Sequence, residues 1–366
     1  MSLKAGIVGL PNVGKSTLFN AITKQNILAA NYPFATIDPN VGIVIVPDER
    51  LNKLNELYNP DSLVATSYEF TDIAGLVKGA SLGEGLGNKF LSHIREVDAI
   101  VEVVRCFENS NIIHVENNID PIRDIEIINL ELTLSDLEIL NNRIDKIKKK
   151  AETNRDKEAL EELNVLQKAK ESLEKNIPLR LVDFSTEEKA LINNFSFLTI
   201  KPIIYLANVN EDEVAIEDND LVKRVKEYAS NENSKVIKMC AKIEAELSEL
   251  NDDEKLEMLN AIGIEQSGLD QLVKETYDLL GLATYFTVGK DEVRAWTFKK
   301  GMNAKKCAGI IHTDFEKGFI KAEVMSYDDL IKYGDELKVK ENGRARLEGK
   351  DYIMQDGDIC YFRFNV

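Results

Sequence analysis

Gly9-Leu10-Pro11-Asn12-Val13-Gly14-Lys15-Ser16 fits the spacing G-x-x-x-x-G-K-[ST], and each residue type in it suits the handling of a phosphate chain. The glycines let the backbone turn so that successive N–H groups face phosphate oxygens. Lys15 can reach the β- and γ-phosphates, where it is the expected catalytic cation, and the Ser16 hydroxyl can ligate Mg²⁺. The run lies between Lys4–Val8, which reads as a short apolar strand, and Thr17–Ile22, which reads as the start of a helix. That helix N-terminus adds a partial positive charge toward the phosphates. Asn12, Val13, Gly14, Lys15, Ser16 and Thr17 are therefore the expected phosphate-binding residues.

Four further segments complete a nucleotide site. Thr36, in Tyr32-Pro33-Phe34-Ala35-Thr36, can close onto Mg²⁺ and the γ-phosphate from a loop. Asp72-Ile73-Ala74-Gly75 is a D-x-x-G at a strand end, in which Asp72 can hold Mg²⁺ through water and the Gly75 N–H can sense the γ-phosphate. The glycine-dense stretch that follows, to Gly87, suits a segment that orders with a triphosphate and loosens after hydrolysis. Asn208-Val209-Asn210-Glu211 follows a buried strand, at the place where GTP-binding proteins carry N-K-x-D. There the aspartate accepts hydrogen bonds from guanine N1–H and the exocyclic amine. Glu211 is one methylene longer and Val209 offers only an apolar contact, so guanine loses its strongest contact and adenine becomes plausible. Cys240-Ala241-Lys242, after the strand-like Lys235–Met239, occupies the place of the loop that touches the base through backbone N–H groups.

These segments need an α/β framework. Val41–Val46, Tyr68–Ile73 and Ala99–Val104 read as strands, the last apolar enough to be covered on both faces. Between Ile125 and Asn176 glycine disappears, and Leu130, Leu134, Leu137, Ile144 and Ile147, then Leu160, Leu163, Leu166 and Leu173, recur at helical spacing around a charged break at 153–156. This predicts an antiparallel, coiled-coil-like helical hairpin whose apolar stripe is the mutual contact of its two helices. Ser185-Thr186-Glu187-Glu188 reads as a capping box. Lys201–Ala207 then restores the α/β pattern, followed by a helix over 220–229, so the hairpin is an insertion. The expected domains are 1–125 with 199–282, the hairpin 126–198, and a small β-rich unit 283–366 that ends in a tight turn at Asp356-Gly357.

With 366 residues and 30% of them charged, the chain is long enough for two or three domains with a sizeable core. No apolar run approaches the roughly 18 residues of a membrane span. No charged-then-apolar leader precedes the first strand, so a cytoplasmic protein is expected. Cys106, Cys240, Cys307 and Cys360 lack C-x-x-C spacing, which suits reduced thiols and argues against a zinc site. The net charge of −17 argues against a protein that coats nucleic acid. Residues 283–366 nevertheless carry a net charge of +1, with a cluster at Lys299, Lys300, Lys305 and Lys306, and are the end best suited to an anionic partner.

The GLPNVGKSTLFNA run, the N-x-x-E in place of N-K-x-D, the inserted hairpin, and Ala295–Phe298 with Phe315–Ile320 together resemble the Obg-like ATPase (YchF) family of P-loop NTPases over essentially the whole chain. The resemblance implies an α/β, Ras-like P-loop domain with an inserted helical hairpin and a C-terminal ubiquitin-like β-grasp (TGS) domain. It implies a cytosolic, Mg²⁺-dependent ATPase of slow intrinsic rate that associates with ribosomes, the large subunit being the expected face. RNA is a candidate partner, although no base-reading residue can be named, and neither membrane nor DNA is expected. Leu76 stands where many GTPases carry a water-orienting glutamine. His114, in Glu108–Val115, matches a family segment whose histidine is a proposed catalytic residue, and a neutral imidazole suits the positioning of water. His93 reads as structural. Asn12 stands where an asparagine in P-loop GTPases can coordinate a monovalent cation, which makes K⁺ stimulation an expectation. Where some members carry a redox-linked cysteine this chain has Ala35, which excludes that regulation. Two alternatives stay open: a nucleotide-gated ribosome- or RNA-binding module with negligible hydrolysis, and a GTPase.

Overall fold

The structure is a computed structural model and describes residues 3–28, 40–73, 86–109, 118–154 and 156–365. Its strands are β1 (Lys4–Val8), β2 (Val41–Ile45), β3 (Ser62–Val64), β4 (Ser67–Asp72), β5 (Ala99–Arg105), β6 (Ile203–Asn208), β7 (Lys235–Met239), β8 (Leu282–Thr287), β9 (Glu292–Lys299), β10 (Phe319–Ser326), β11 (Arg346–Glu348) and β12 (Asp358–Phe364). Its helices are α1 (Lys15–Leu28), α2 (Glu49–Tyr58), α3 (Leu86–Glu96), α4 (Pro121–Asn154), α5 (Lys157–Glu174), α6 (Thr186–Ile192), α7 (Asp220–Asn231), α8 (Ala241–Leu247), α9 (Asp252–Ile262), α10 (Gly268–Leu279), α11 (Ala304–Ile311), α12 (Thr313–Lys317), α13 (Tyr327–Tyr333) and α14 (Glu336–Glu341).

The first sheet has the order β2-β4-β1-β5-β6-β7, and β4, β1, β5, β6 and β7 run parallel. All seven residues of β5 and all six of β6 are buried, as parallel strands covered on both faces require. The C-terminal ends of β1, β5, β6 and β7 lead into the phosphate loop, residues 106–109, residues 209–213 and Cys240, which is where open α/β sheets hold their ligands.

The inserted hairpin begins at Pro121, five residues before the expected boundary, and turns at Asp156, which caps α5 by accepting from the Ala159 N–H at 3.1 Å. Its apolar stripe divides in a way that helical spacing alone does not reveal. Leu140, Val165, Leu166, Ala169 and Leu173 pack with Leu179, Phe184, Ile192 and Phe197, and Ile147, Ala151, Ala159 and Leu163 form a second cluster toward the turn. Leu130, Leu134 and Leu160, expected in the mutual contact, are instead exposed (40% or more). The chain after α5 folds back and takes part of the face expected to be shared between the helices. The capping box is formed: Ser185 Oγ accepts from the Glu188 N–H at 3.2 Å and Glu188 Oε2 from the Ser185 N–H at 2.8 Å. Asp136, fully buried on α4, ties the hairpin to the chain that re-enters the sheet. It accepts from the N–H groups of Leu198 (2.9 Å) and Thr199 (2.8 Å) and from the Thr199 hydroxyl (2.7 Å).

The second sheet has the order β11-β10-β12-β8-β9-β3, with β12 parallel to β8 and the β8–β9, β10–β12 and β10–β11 pairs antiparallel. Leaving β3 aside, the last strand lies parallel to the first at the centre, flanked by the second and the third, which is the β-grasp order. At the predicted turn Gly357 has φ +85°, the left-handed region open to glycine, and Asp356 accepts from the Thr284 N–H at 2.8 Å. The lysine cluster is largely solvated, and Lys300 pairs with Asp278 at 3.1 Å.

The contacts divide the chain into two compact units, 1–43 with 69–271, and 44–68 with 272–366. Two features differ from the expected domains. The hairpin packs as part of the first unit. The second unit, expected to start at 283, also takes in α10 from Leu272 and recruits residues 44–68. There β3 adds a parallel strand beside β9, and Leu51 and Leu54 of α2 enter a core with Phe286, Val293, Met325 and Ile359. The amphipathic 49–58 segment looks like an ordinary α/β helix in sequence. Nothing local reveals that its apolar face is buried against strands more than 200 residues away.

Candidate functional site

The phosphate loop joins β1 to α1 and holds two residues in the left-handed region, Asn12 (φ +64°) and Gly14 (φ +93°). Asparagine tolerates that conformation, whereas at position 14 a side chain is excluded twice over. A Cβ there would stand 2.2 Å from the Asn208 amide nitrogen. Asn208 is 4% exposed, and both ends of its side chain are committed. Nδ2 donates to the Val13 carbonyl at 2.8 Å and Oδ1 accepts from the Ala241 N–H at 3.0 Å. One buried amide thus binds the phosphate loop to the 240–242 loop. Its contacts hold the two walls of the pocket together.

Lys15 Nζ pairs with the Asp72 carboxylate, and both side chains are mostly buried. The expected γ-phosphate ligand and the expected Mg²⁺ ligand therefore lie within contact of each other at the loop. Ser16 is exposed at the start of α1. A hydroxyl and a carboxylate are hard oxygen donors, the set that suits Mg²⁺ beside phosphates. Among the described residues no group of three or more His, Cys, Asp or Glu side chains could hold a metal ion. Thr36, Gly75, Leu76 and His114 lie outside the described residues, as does Ala35.

Beyond the loop opens a cavity of about 430 Å³ lined by Asn12, Gly14, Thr17, Phe107, Asn109 and the 208–211 and 240–242 segments. Val209 is 2% exposed, and its N–H donates to the Met239 carbonyl at 2.9 Å. Glu211 does not face the cavity as an unpaired acceptor: Lys242 Nζ donates to its Oε1 at 2.8 Å. That hydrogen bond raises the Lys242 pKa above the ordinary lysine value. Cys240 is buried, which pushes its thiol up and keeps it protonated. Burial does the same for Cys106 and Cys307, each pushed up to about 12, and for Cys360; all four are free thiols.

Several supporting residues escape a reading of motifs. Arg105, the last residue of β5, is 1% exposed; Nε donates to the Phe107 carbonyl at 3.2 Å and Nη2 to the Asn109 carbonyl at 3.3 Å. Its guanidinium lies 4.6 Å from the Phe107 ring centroid, so it supports the cavity wall from behind. Burial lowers its pKa. Asn219 caps α7 through the Val222 N–H (2.9 Å) and donates to the Cys106 carbonyl (2.9 Å) and Glu213 (2.8 Å). Glu213 in turn completes a capping box with Asn210, by accepting from the Asn210 N–H at 3.1 Å. The Asn210-x-x-Glu213 spacing was a legible sign that this turn is stiff. The buried Arg105 was not, because a charged residue ending an apolar strand ordinarily points to solvent.

Residues 4–142 match a family model described as "50S ribosome-binding GTPase", and residues 282–365 match the YchF GTPase C-terminal model, described as "Protein of unknown function (DUF933)". The chain is 60% identical over 367 residues to the ribosome-binding ATPase YchF of Bacillus subtilis (strain 168) and 54% identical over 366 residues to that of Escherichia coli O157:H7, covering 100% of both chains in each case. The solved structure of the Schizosaccharomyces pombe YchF GTPase superposes with a TM-score of 0.91 at 43% identity, covering 99% of this chain and 98% of that one. With relatives this similar over its whole length and a solved structure of the family superposing on 99% of it, this chain belongs to the YchF family.

Proposed function

We propose that the chain is a ribosome-associated ATPase: it binds ATP with Mg²⁺ in the cavity beside the phosphate loop, hydrolyses it slowly, and docks on ribosomes according to the nucleotide it holds. The observation that carries adenine is the pairing of Glu211 with Lys242 over a pocket walled by Val209 and Cys240. Guanine recognition needs a carboxylate able to accept two N–H groups at once. Here the candidate carboxylate is longer and already takes a lysine. An apolar wall and backbone groups remain, which suit adenine. The relatives named ribosome-binding ATPase support the same reading.

In this reading the backbone N–H groups of residues 12–17 hold the phosphate chain, and Lys15 leaves Asp72 to meet the β- and γ-oxygens. Ser16, Thr36 and Asp72 would hold Mg²⁺, which neutralises phosphate charge. Gly75 would sense the γ-phosphate, and His114 would orient the attacking water where Leu76 cannot. Asn12 would share K⁺ with the phosphates. The family model described as 50S ribosome-binding, matched by residues 4–142, supports a docking site on the large subunit, and the lysine cluster at 299–306 would suit ribosomal RNA as its anionic surface. A cytoplasmic location fits such a partner, and among the described residues no helix is long and apolar enough to cross a membrane.

Replacing Lys15 by Ala removes the charge that stabilises the transferring phosphoryl group and should lower kcat by about 10²-fold or more. Phosphate release by purified K15A, measured in matched K⁺ and Na⁺ buffers beside the unaltered chain, tests this. Full turnover in the mutant would refute the Lys15 assignment, and equal wild-type rates in the two buffers would refute that of Asn12. Cosedimentation with ribosomes in ATP, a non-hydrolysable analogue and ADP reads the switch, and indifference to the nucleotide would contradict it.

A further inference from the structure

Glu244 lies in the first turn of α8, is 3% exposed, and is not among the residues that line the nucleotide cavity. Each of its carboxylate oxygens accepts a backbone N–H: Oε1 from Gly268 at 2.7 Å and Oε2 from Leu269 at 3.2 Å. Those are the first two residues of α10, whose cap is completed by Ser267 Oγ accepting from the Asp270 N–H at 3.0 Å. A single carboxylate therefore fastens the start of α10 to α8. The same helix begins at Ala241, whose N–H is the one held by Asn208. The other flank of the 240–242 loop is also engaged: a Cβ at Gly268 would stand 2.5 Å from the Met239 Cβ and 3.2 Å from Glu244 Oε1. The start of α10 thus presses on the residue before Cys240 and is bound by the helix after it.

Ionised, the carboxylate is acceptor-only and matches two N–H groups at a helix N-terminus, where its charge is favoured. Protonated, one oxygen becomes a donor that opposes an N–H, and the charge is gone. Burial pushes this carboxyl up to about 7, against the two N–H groups, which lower it. The charged groups acting on it are Asp270 on α10, which raises it, and Lys255 on α9, which lowers it and pairs with Asp270 at 2.9 Å. The other charges nearby have their own partners. Lys242 on α8 holds Glu211, Lys24 on the packed α1 pairs with Glu249, and Lys238 on β7 pairs with Asp218. Glu246 stands on α8 itself, and Met239 of β7, which lies against Gly268, is uncharged.

We propose that Glu244 is a positioning residue for nucleotide binding: ionised, it locks α8 and the Cys240–Lys242 loop in the arrangement that frames the base, and protonated, it releases that loop and weakens nucleotide binding at mildly acid pH. The role rests on the assignment of the cavity to ATP. Because ATP then favours the ionised form, binding expels a proton from the protonated fraction, and affinity rises with pH until the group is fully ionised. Glu244→Gln has the shape of the protonated acid, with one acceptor and one opposed donor, at every pH.

The test is calorimetric titration of full-length wild type and E244Q with ATP and Mg²⁺ at pH 6, 7 and 8. The nucleotide's own phosphate titration is common to both proteins and cancels in the ratio of their Kd values. The expected result is a wild type that binds about fivefold tighter than E244Q at pH 8 and equally at pH 6. A ratio that does not change with pH, with wild-type binding intact at pH 8, overturns the role of Glu244 alone. No ATP binding by wild type at pH 8 overturns the ATP assignment itself. Hydrogen exchange of the Gly268 and Leu269 amides in wild type provides a second reading that needs no variant. Their protection factors should fall from pH 8 to pH 6, and unchanged factors contradict the clamp.

Discussion

At the residue scale, the proposed choice of base rests on two side chains. Glu211 pairs with Lys242, and Val209 is buried, with its N–H on the Met239 carbonyl. An exposed pair such as Lys242–Glu211 contributes little to stability, so its consequence is directional: it engages the carboxylate. Restoring the guanine-reading pattern with Val209→Lys and Glu211→Asp together should shift the GTP-to-ATP affinity ratio by about tenfold toward GTP, or about 1.4 kcal/mol. Competition binding of the two nucleotides to the double variant measures it, and an unmoved ratio would show that backbone contacts set the base. The motif residues were legible because their spacing is dictated by the ligand. Asn208 was legible in position but not in role, because only the fold brings Val13 and Ala241 to its two ends.

At the element scale, the hairpin depends on a few buried polar contacts as much as on its seam. Asp136 holds three donors of residues 198–199, and burial raises its carboxyl above the usual aspartate range while those bonds lower it. Asp136→Ala leaves three buried donors unpaired and should destabilise the first unit by about 3 kcal/mol. Urea unfolding followed by a first-unit probe reads this, and a loss under about 0.5 kcal/mol would mean that water replaces the carboxylate. The existence of the hairpin was plain from the glycine-free leucine periodicity. Which leucines meet was not. Leu130, Leu134 and Leu160 keep helical spacing yet are exposed, because the returning chain with Leu179, Phe184 and Phe197 supplies part of the packing. The strands β5 and β6 were readable as mostly apolar runs. The buried Arg105 and Asn219 supports, which depend on carbonyls presented by other segments, were not.

At the scale of the whole molecule, the C-terminal β-grasp unit is not a contiguous piece of chain. Its sheet gains β3, and its core gains Leu51 and Leu54, from residues 44–68. Each such leucine contributes about 2 kcal/mol on burial. A fragment of residues 282–366 should therefore melt well below the same fragment supplied with the 44–68 peptide, and a peptide without effect on the melting temperature would contradict this division. No local property of residues 49–58 announces that destination. The resemblance in sequence reached the right family because it rests on many motifs at once, whereas the division into units follows from contacts over long separations. The names carried by the relatives divide between ATPase and GTPase, so the base is the central question. The most direct test is titration of nucleotide-free protein with ATP and with GTP, each with Mg²⁺, by calorimetry. Binding of ATP about tenfold tighter, or about 1.4 kcal/mol, is the result that the Glu211–Lys242 pairing predicts. Equal or tighter binding of GTP would contradict it and make the protein a guanine-nucleotide switch.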